Sequence, residues 1–478
     1  MRSLRRLLAA PGSAALVTLA GVAAPAAALH AQAAAASSVV AFTNVNVVPM
    51  DADRVLADQT VVVRDGRIAE VGPAASVRVP AGARRVDGRG KYLMPGLAEM
   101  HAHIPGANAP PQTIRDIMFL YVANGVTTIR GMLGAPNQLA LRDSTASGAV
   151  LGPTIFVGAP SLNGNSAPDP AAAARLVRAH KAAGYDLLKL HPGLTRPVYD
   201  TIAAVARAEG ITWAGHISSD VGLLHTLATR QSTIDHLDGY IDAAASDEVR
   251  ARAATGQASF NDVIASVTEE RLRELAGRTR AAGVWNVPTA YLWETLFAFD
   301  SAGAYLEHPE LRFVSPQTRA AWANAKRNRV AQDVGAGITA GTAAEHLRLR
   351  RVLLKALADS GAGLLMGTDS PQVFNVPGFA LHREVRLMHE AGLSPYQVLV
   401  SGTRNVARYA SEVLGRDGSF GTVAAGNRAD LVLLEGNPLA DLSSLERRAG
   451  VMVRGRWLPR AEIERGLAEL AARHAQGS

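Results

Sequence analysis

Two histidines one residue apart, His101 and His103, close an apolar run from Tyr92 to Met100 that reads as a buried strand. In an extended chain residues i and i+2 point to the same face, so both imidazoles project together. Two neutral imidazoles on one rigid strand end make half of a site for a borderline ion such as zinc. On their own, two such histidines are more often ordinary polar residues. Their company changes the reading: Lys189, His216, His236 and Asp369 each fall at or near the end of a strand-like run. Each of these also has a plainer role. A lone histidine at a strand end is commonly a hydrogen-bonded core residue. A lysine there can snorkel outward or pair with an acid. An aspartate before Ser-Pro suits a turn or a helix N-cap.

The elements that must position these residues follow two rhythms. Residues 39–94 alternate in the β manner, with Asp65-Gly66 as a tight hairpin turn between Gln59–Arg64 and Arg67–Val71. Gly421–Leu434 and Gly450–Trp457 read the same way, which predicts one small β domain assembled from both ends of the chain. Between them, strand-like runs alternate with Ala/Leu/Arg-rich helical stretches. The runs are 92–103, Val126–Arg130, Thr154–Gly158, Asp186–Leu190, Ile211–His216, Thr233–His236, Val284–Pro288 and Gly363–Asp369. Eight β/α units suggest a closed barrel whose C-terminal rim carries the chemistry. The domain boundaries expected are a β-sandwich from 39–94 and 417–460, a (β/α)8 TIM barrel over 95–416, and a C-terminal helix over 461–478. Residues 291–362 exceed one crossover and include a helical pattern through 317–334. They suit a lid or an elaborated helical layer equally.

The 478 residues can bury a large core, and 48% hydrophobic with 19% charged content is globular rather than disordered. The formal net charge of +7 is diffuse, three units of it from Arg2, Arg5 and Arg6, so nucleic acid is not expected as a partner. Residues 1–33 read as a secretory signal, with those arginines, the apolar span Ser13–Ala28 and cleavage near Ala31-Gln32-Ala33. That places the mature chain in the periplasm or outside the cell, with no stable membrane insertion after cleavage. With no cysteine, disulfides, thiolate ligands and a cysteine nucleophile are excluded.

Pro95-Gly96-Leu97 with His101-x-His103, Gly367-Thr368-Asp369, and the stretch from Ala425 to Leu434 together resemble the amidohydrolase superfamily. Within it, the chain is similar to the imidazolonepropionase-like branch that includes binuclear metal dipeptidases. The resemblance implies two divalent cations, zinc being the natural candidate, held by His101, His103, Lys189, His216, His236 and Asp369. An ammonium has no lone pair and cannot ligate a metal. Family members with a lysine at the end of the fourth strand carbamylate it, so Lys189 is expected to carry a carbon dioxide-derived carbamate that bridges the metals. In such a scheme cations ~3.5–4 Å apart share a hydroxide and polarise the substrate carbonyl. Asp369 would take the proton as general base and return it to the leaving nitrogen. The expected reaction is hydrolysis of an amide or peptide-like C–N bond in a small-molecule substrate.

His191, Tyr240, Tyr291 and His382 are candidate substrate-binding residues. His191 lies two beyond Lys189, Tyr240 follows His236, Tyr291 follows the seventh run and His382 stands on the helix after the eighth. Packing roles are open for each. A lactone, ester or phosphotriester hydrolase on the same dimetal centre is the main alternative. A mononuclear deaminase is disfavoured because His216-Ile217-Ser218-Ser219 lacks the acid that such enzymes place there. A non-catalytic binding protein would be expected to have lost ligands. A homo-oligomer is compatible with everything above.

Overall fold

The computed structural model describes residues 39–475; the expected signal sequence lies outside them. Five strands come from the first part of the chain: β1 (Val40–Val47), β2 (Leu56–Arg64), β3 (Arg67–Pro73), β4 (Arg84–Asp87) and β5 (Tyr92–Pro95). Asp65 and Gly66, both with positive φ, turn β2 into β3, as a two-residue hairpin with the native strand twist requires.

Eight further strands alternate with helices: β6 (Leu97–Ala102), β7 (Val126–Gly131), β8 (Thr154–Val157), β9 (Leu187–Leu190), β10 (Thr212–Gly215), β11 (Thr233–Asp235), β12 (Trp285–Val287) and β13 (Gly363–Leu364). All their mutual pairings are parallel, in sheets ordered β6-β7-β8 and β13-β12-β11-β10-β9. Parallel bridges Gly158–Leu187 and Leu162–Leu190 join the first sheet to β9, and Ala102–Ser370 joins β6 to the segment after β13. The arrangement is a TIM-barrel-like α/β fold.

The chain then returns through β14 (Leu431–Leu434), β15 (Arg448–Val453) and β16 (Arg456–Pro459). These extend the N-terminal strands into one sheet, β16-β15-β14-β5-β1-β2-β3, with β4 alongside β1. The sandwich expected here is therefore a single eight-stranded sheet by hydrogen bonding. Its packed side buries Phe42 against Trp457, edge to face at 5.1 Å, together with Val61, Leu93 and Leu431. Each such side chain withdrawn from water contributes roughly 1.5–3 kcal/mol.

The apolar run 92–103, expected as one strand, serves both layers. Tyr92–Pro95 pairs antiparallel with β14, and from Leu97 onward the chain pairs with β7. The break falls at Gly96, which bonds through its N–H to the Asp430 carbonyl. A Cβ at Gly96 would lie 2.3 Å from Thr127 Oγ1, closer than any real contact. A glycine is needed there because two sheets meet through that residue.

The stretch 291–362 forms helices rather than a loose flap, including Pro316–Gly335 and Ala340–Ser360. The second of these packs on the helix Glu269–Ala282. On the other side, Trp285, Phe156 and Leu365 pack with Tyr409 and Phe420, from the segment that follows β13.

Gly96→Ala is expected to destabilise the chain by about 1–3 kcal/mol, as overpacking of a close junction does. The urea midpoint should fall while the dependence on denaturant stays the same.

Candidate metal centre

The C-terminal ends of β6, β9, β11 and the segment after β13 bring together five of the expected residues. Donor atoms of His101, His236 and Asp369 lie within 4.8 Å of one another. His103 Nε2 stands 2.5 Å from Asp369 Oδ1, and His101 Nε2 stands 3.6 Å from the same oxygen. Lys189 is fully buried, with Nζ 3.3 Å from His101 Nε2. His216 joins by stacking on His236, ring centroids 4.6 Å apart.

Three of the rings have oxygen atoms behind them that the sequence did not reveal. Asp235 Oδ2 lies 2.9 Å from His101 Nδ1, in charge contact without the alignment of a hydrogen bond. His216 Nδ1 is 2.8 Å from Asp238 Oδ2, and His236 Nδ1 is 2.8 Å from Thr289 Oγ1. Partners of this kind fix the tautomer and aim the opposite nitrogen. For His236 that nitrogen, Nε2, is buried and has no hydrogen-bond partner among the described residues. An unpaired buried polar atom is costly, and a cation coordinated there would satisfy it. Imidazole and carboxylate together form a donor set suited to a divalent cation. The residues present therefore fit a metal.

Burial sets the protonation states. It holds His101 well below the ordinary histidine value, with the charge of Lys189 adding to the effect. Burial does the same to His236, with His101 adding. Both rings are thus neutral, the form that ligates. Burial also lowers Lys189, although Asp235 and Asp369 oppose it. For Asp235, burial favours the neutral form, but Arg130 and Lys189 outweigh it and hold the carboxyl below its usual range.

Three residues missed in the sequence carry this architecture. Arg130, ending β7 and wholly buried, reaches Asp235 at 3.1 Å, the Met100 carbonyl at 2.7 Å and Tyr409 Oη at 3.0 Å. Glu99 accepts from the N–H groups of His101 and Thr368 and from Thr368 Oγ1. Burial nonetheless raises its carboxyl to about 8. The space it uses exists because residue 367 is glycine: a Cβ there would come within 3.0 Å of Glu99 Oε1 and 2.9 Å of His101 N. A single acid within an otherwise apolar run was the visible signal for Glu99. Arg350, from the helix Ala340–Ser360, is buried over Trp293 at 3.9 Å and donates to the His236 carbonyl at 2.6 Å. His236 has φ +62° and Asp369 φ +66°, left-handed conformations that cost energy in residues other than glycine and persist where neighbours enforce them.

The softer candidates divide. His191 stacks on His216 at 5.0 Å, with Nδ1 2.8 Å from Ser161 Oγ, and lines a cleft of about 500 Å³. Burial depresses it to about 3, with Lys189 adding. Tyr240 has its hydroxyl fully buried and bonded to Thr279 at 2.7 Å and Asn286 at 3.0 Å. It turns into the helical layer because its ring is large and apolar, and no donor is left over for a substrate. His382 lies on the helix Phe379–Glu390. It meets Arg448 of β15 at 3.0 Å and Asn124 at 3.3 Å, at the joint with the eight-stranded sheet. Tyr291 is buried, and its hydroxyl reaches the Phe374 carbonyl at 3.4 Å, so it braces the loop after Asp369.

A model of the amidohydrolase family matches residues 92–458. The chain belongs to the amidohydrolase family. Among curated members, the imidazolonepropionase of Stenotrophomonas maltophilia (strain R551-3) is 33% identical over 110 residues, 21% of this chain and 27% of that protein. Adenine deaminase 3 of Rhizobium meliloti (strain 1021) is 30% identical over 190 residues, 36% of this chain and 31% of that protein. The chain thus matches less than a third of the length of either relative. Among solved structures, a bottromycin amidohydrolase superposes with a TM-score of 0.69 at 24% identity, over 91% of this chain and 90% of that one. An Xaa-Pro dipeptidase with bound methionine in its active site gives a TM-score of 0.62 at 18% identity, over 88% and 100%. Across the amidohydrolase family these likenesses establish a shared fold.

Arg130→Met should cost about 3–5 kcal/mol in chemical denaturation, because it leaves Asp235 buried and unpaired. The double variant Arg130→Met/Asp235→Leu should recover part of that loss.

Proposed function

We propose that this chain is a metal-dependent hydrolase of an amide or peptide-like C–N bond. The observation that carries the reading is the buried cluster itself. Imidazoles held from behind converge with Asp369 on a sequestered lysine, and His236 Nε2 is left without a partner. In this reading His101, His103, Lys189, His216, His236 and Asp369 hold two divalent cations, with zinc favoured. The cations supply Lewis acidity toward the scissile carbonyl and make water more acidic.

The chain's own residues do the rest. The neutral fraction of the Lys189 amine, enlarged by burial, attacks carbon dioxide and loses a proton, giving a carbamate anion. That anion provides the oxygen ligands an ammonium lacks. Asp369 accepts a proton at its carboxylate as water oxygen bonds to the carbonyl carbon. It delivers that proton to the nitrogen as the C–N bond breaks. Export directed by residues 1–33 belongs to the same proposal and places the substrate outside the cytoplasm.

Metal analysis with a hydrolysis screen over N-acyl amino acids and dipeptides tests the reading. The native chain should hold two metals, and Lys189→Ala should lose one and at least about a hundredfold in activity. Reloading of the metal-free chain should improve with added bicarbonate. It should also improve as pH rises through the depressed Lys189 pKa, because only the neutral amine reacts. A Lys189→Ala variant with two metals and full turnover would exclude the carbamate.

A further inference from the structure

Beside the candidate centre lies a cleft of about 920 Å³, within the range of small-molecule pockets. It is formed by the segments after β10 and β11 and by the helices Leu223–Thr229 and Asp247–Ala254. Its walls carry Ile217, Val221, Leu223, Leu224 and Val263. The facing positions are alanines, among them Ala228 and Ala254, and their small side chains leave the volume open. Leu224 is 45% exposed, one of few large apolar side chains so placed among the described residues.

The cleft adjoins the residues that support the centre. Asp238 lines it and also holds His216 Nδ1 at 2.8 Å. Ile217 directly follows His216 and abuts Gly239, where a Cβ would lie 3.4 Å from Ile217 Cδ1. The charged groups sit at its edges with a definite sign pattern. Arg196 is tied to His225, and Arg250 to Asp247. The Asp242 carboxyl has no ion pair among the described residues, and burial with Asp238 nearby shifts it toward the neutral form. A group entering the cleft therefore meets apolar walls, with Arg196, Arg250, Asp238 and Asp242 among the lining residues.

We infer that this cleft receives a bulky aliphatic or aromatic side chain of the substrate, so that the preferred substrates are amides of large apolar amino acids. Glycine analogues leave the walls uncovered, and acidic analogues set a charge against apolar walls. This inference rests on the amide-hydrolysis reading for its chemistry and on the cleft for its selectivity.

The test uses the zinc-loaded full chain with Leu-Leu, Phe-Phe, Gly-Gly and Glu-Glu dipeptides and the corresponding N-acetyl amino acids. Leucine and phenylalanine substrates should exceed glycine and glutamate ones by about tenfold or more in kcat/KM, mostly through KM. Ala228 and Ala254 are exposed helical positions, so Ala228→Phe and Ala254→Phe fill the cleft without entering the centre. These variants should lose that preference while glycine substrates stay within about twofold. A flat panel, or a preference that survives filling, overturns the inference. If the native chain cleaves no amide at all, the functional reading fails, and the cleft is then judged by calorimetry on the metal-free chain. N-acetyl-leucinamide bound by the native chain and not by Ala228→Phe upholds an apolar pocket. Absence of binding to the native chain overturns it.

Discussion

The buried pair of Arg130 and Asp235 is the constraint on which the rest of the centre depends. Both side chains are sealed from water, so neither charge is tolerable without the other. Satisfying the guanidinium also ties down β6 through the Met100 carbonyl and the helix Arg404–Glu412 through Tyr409. Satisfying the carboxylate involves Thr233 and places an anion behind His101. One charge pair therefore ties β6, β7, β11 and a helix from beyond β13 to a common point. Histidine and lysine side chains from neighbouring strands converge just beyond it.

Strain gathers around that point. His236, Leu237, Thr289 and Asp369 all adopt positive φ, and none is glycine. Each such residue costs of order 1–3 kcal/mol, which a loose loop would relieve. Here the surroundings prevent relief. Arg350 holds the His236 carbonyl, Thr289 holds its ring, and Asp369 donates its N–H to the His101 carbonyl at 2.8 Å. The helices of 291–362 thus act as a rigid backing, since one of them supplies Arg350 from the side away from solvent. Glu99 completes the support between β6 and Thr368, as a largely neutral carboxyl whose three donors come from the segments carrying His101 and Asp369.

Much of this was legible in the residues. The alternation of β runs with helical stretches, and the placement of His101, Lys189, His236 and Asp369 at strand ends, led to the observed parallel pairing and cluster. Asp65-Gly66 became the expected turn. The division of 92–103 between two sheets was hidden, because Pro95-Gly96-Leu97 is apolar throughout and periodicity does not report which partner strand is present. The same blindness affected Tyr240 and His382. A polar tip near a strand end reads as a substrate contact until the positions of Thr279, Asn286 and Arg448 show that it is already spent.

The sequence by itself determined the chemistry on offer: imidazoles, one amine and one carboxylate, no thiol, spread over the ends of five strand runs. Local rules suffice for this, because strand period, turn residues and side-chain functional groups depend only on neighbours along the chain. The tertiary structure decided what those groups become. Asp235, Asp238 and Thr289 lie near their histidines only after β11 and β12 pair and fold back. Arg130 becomes a structural charge only once Asp235 is buried with it. Protonation state, ring orientation and the cleft beside Asp238 all depend on which distant residues exclude water.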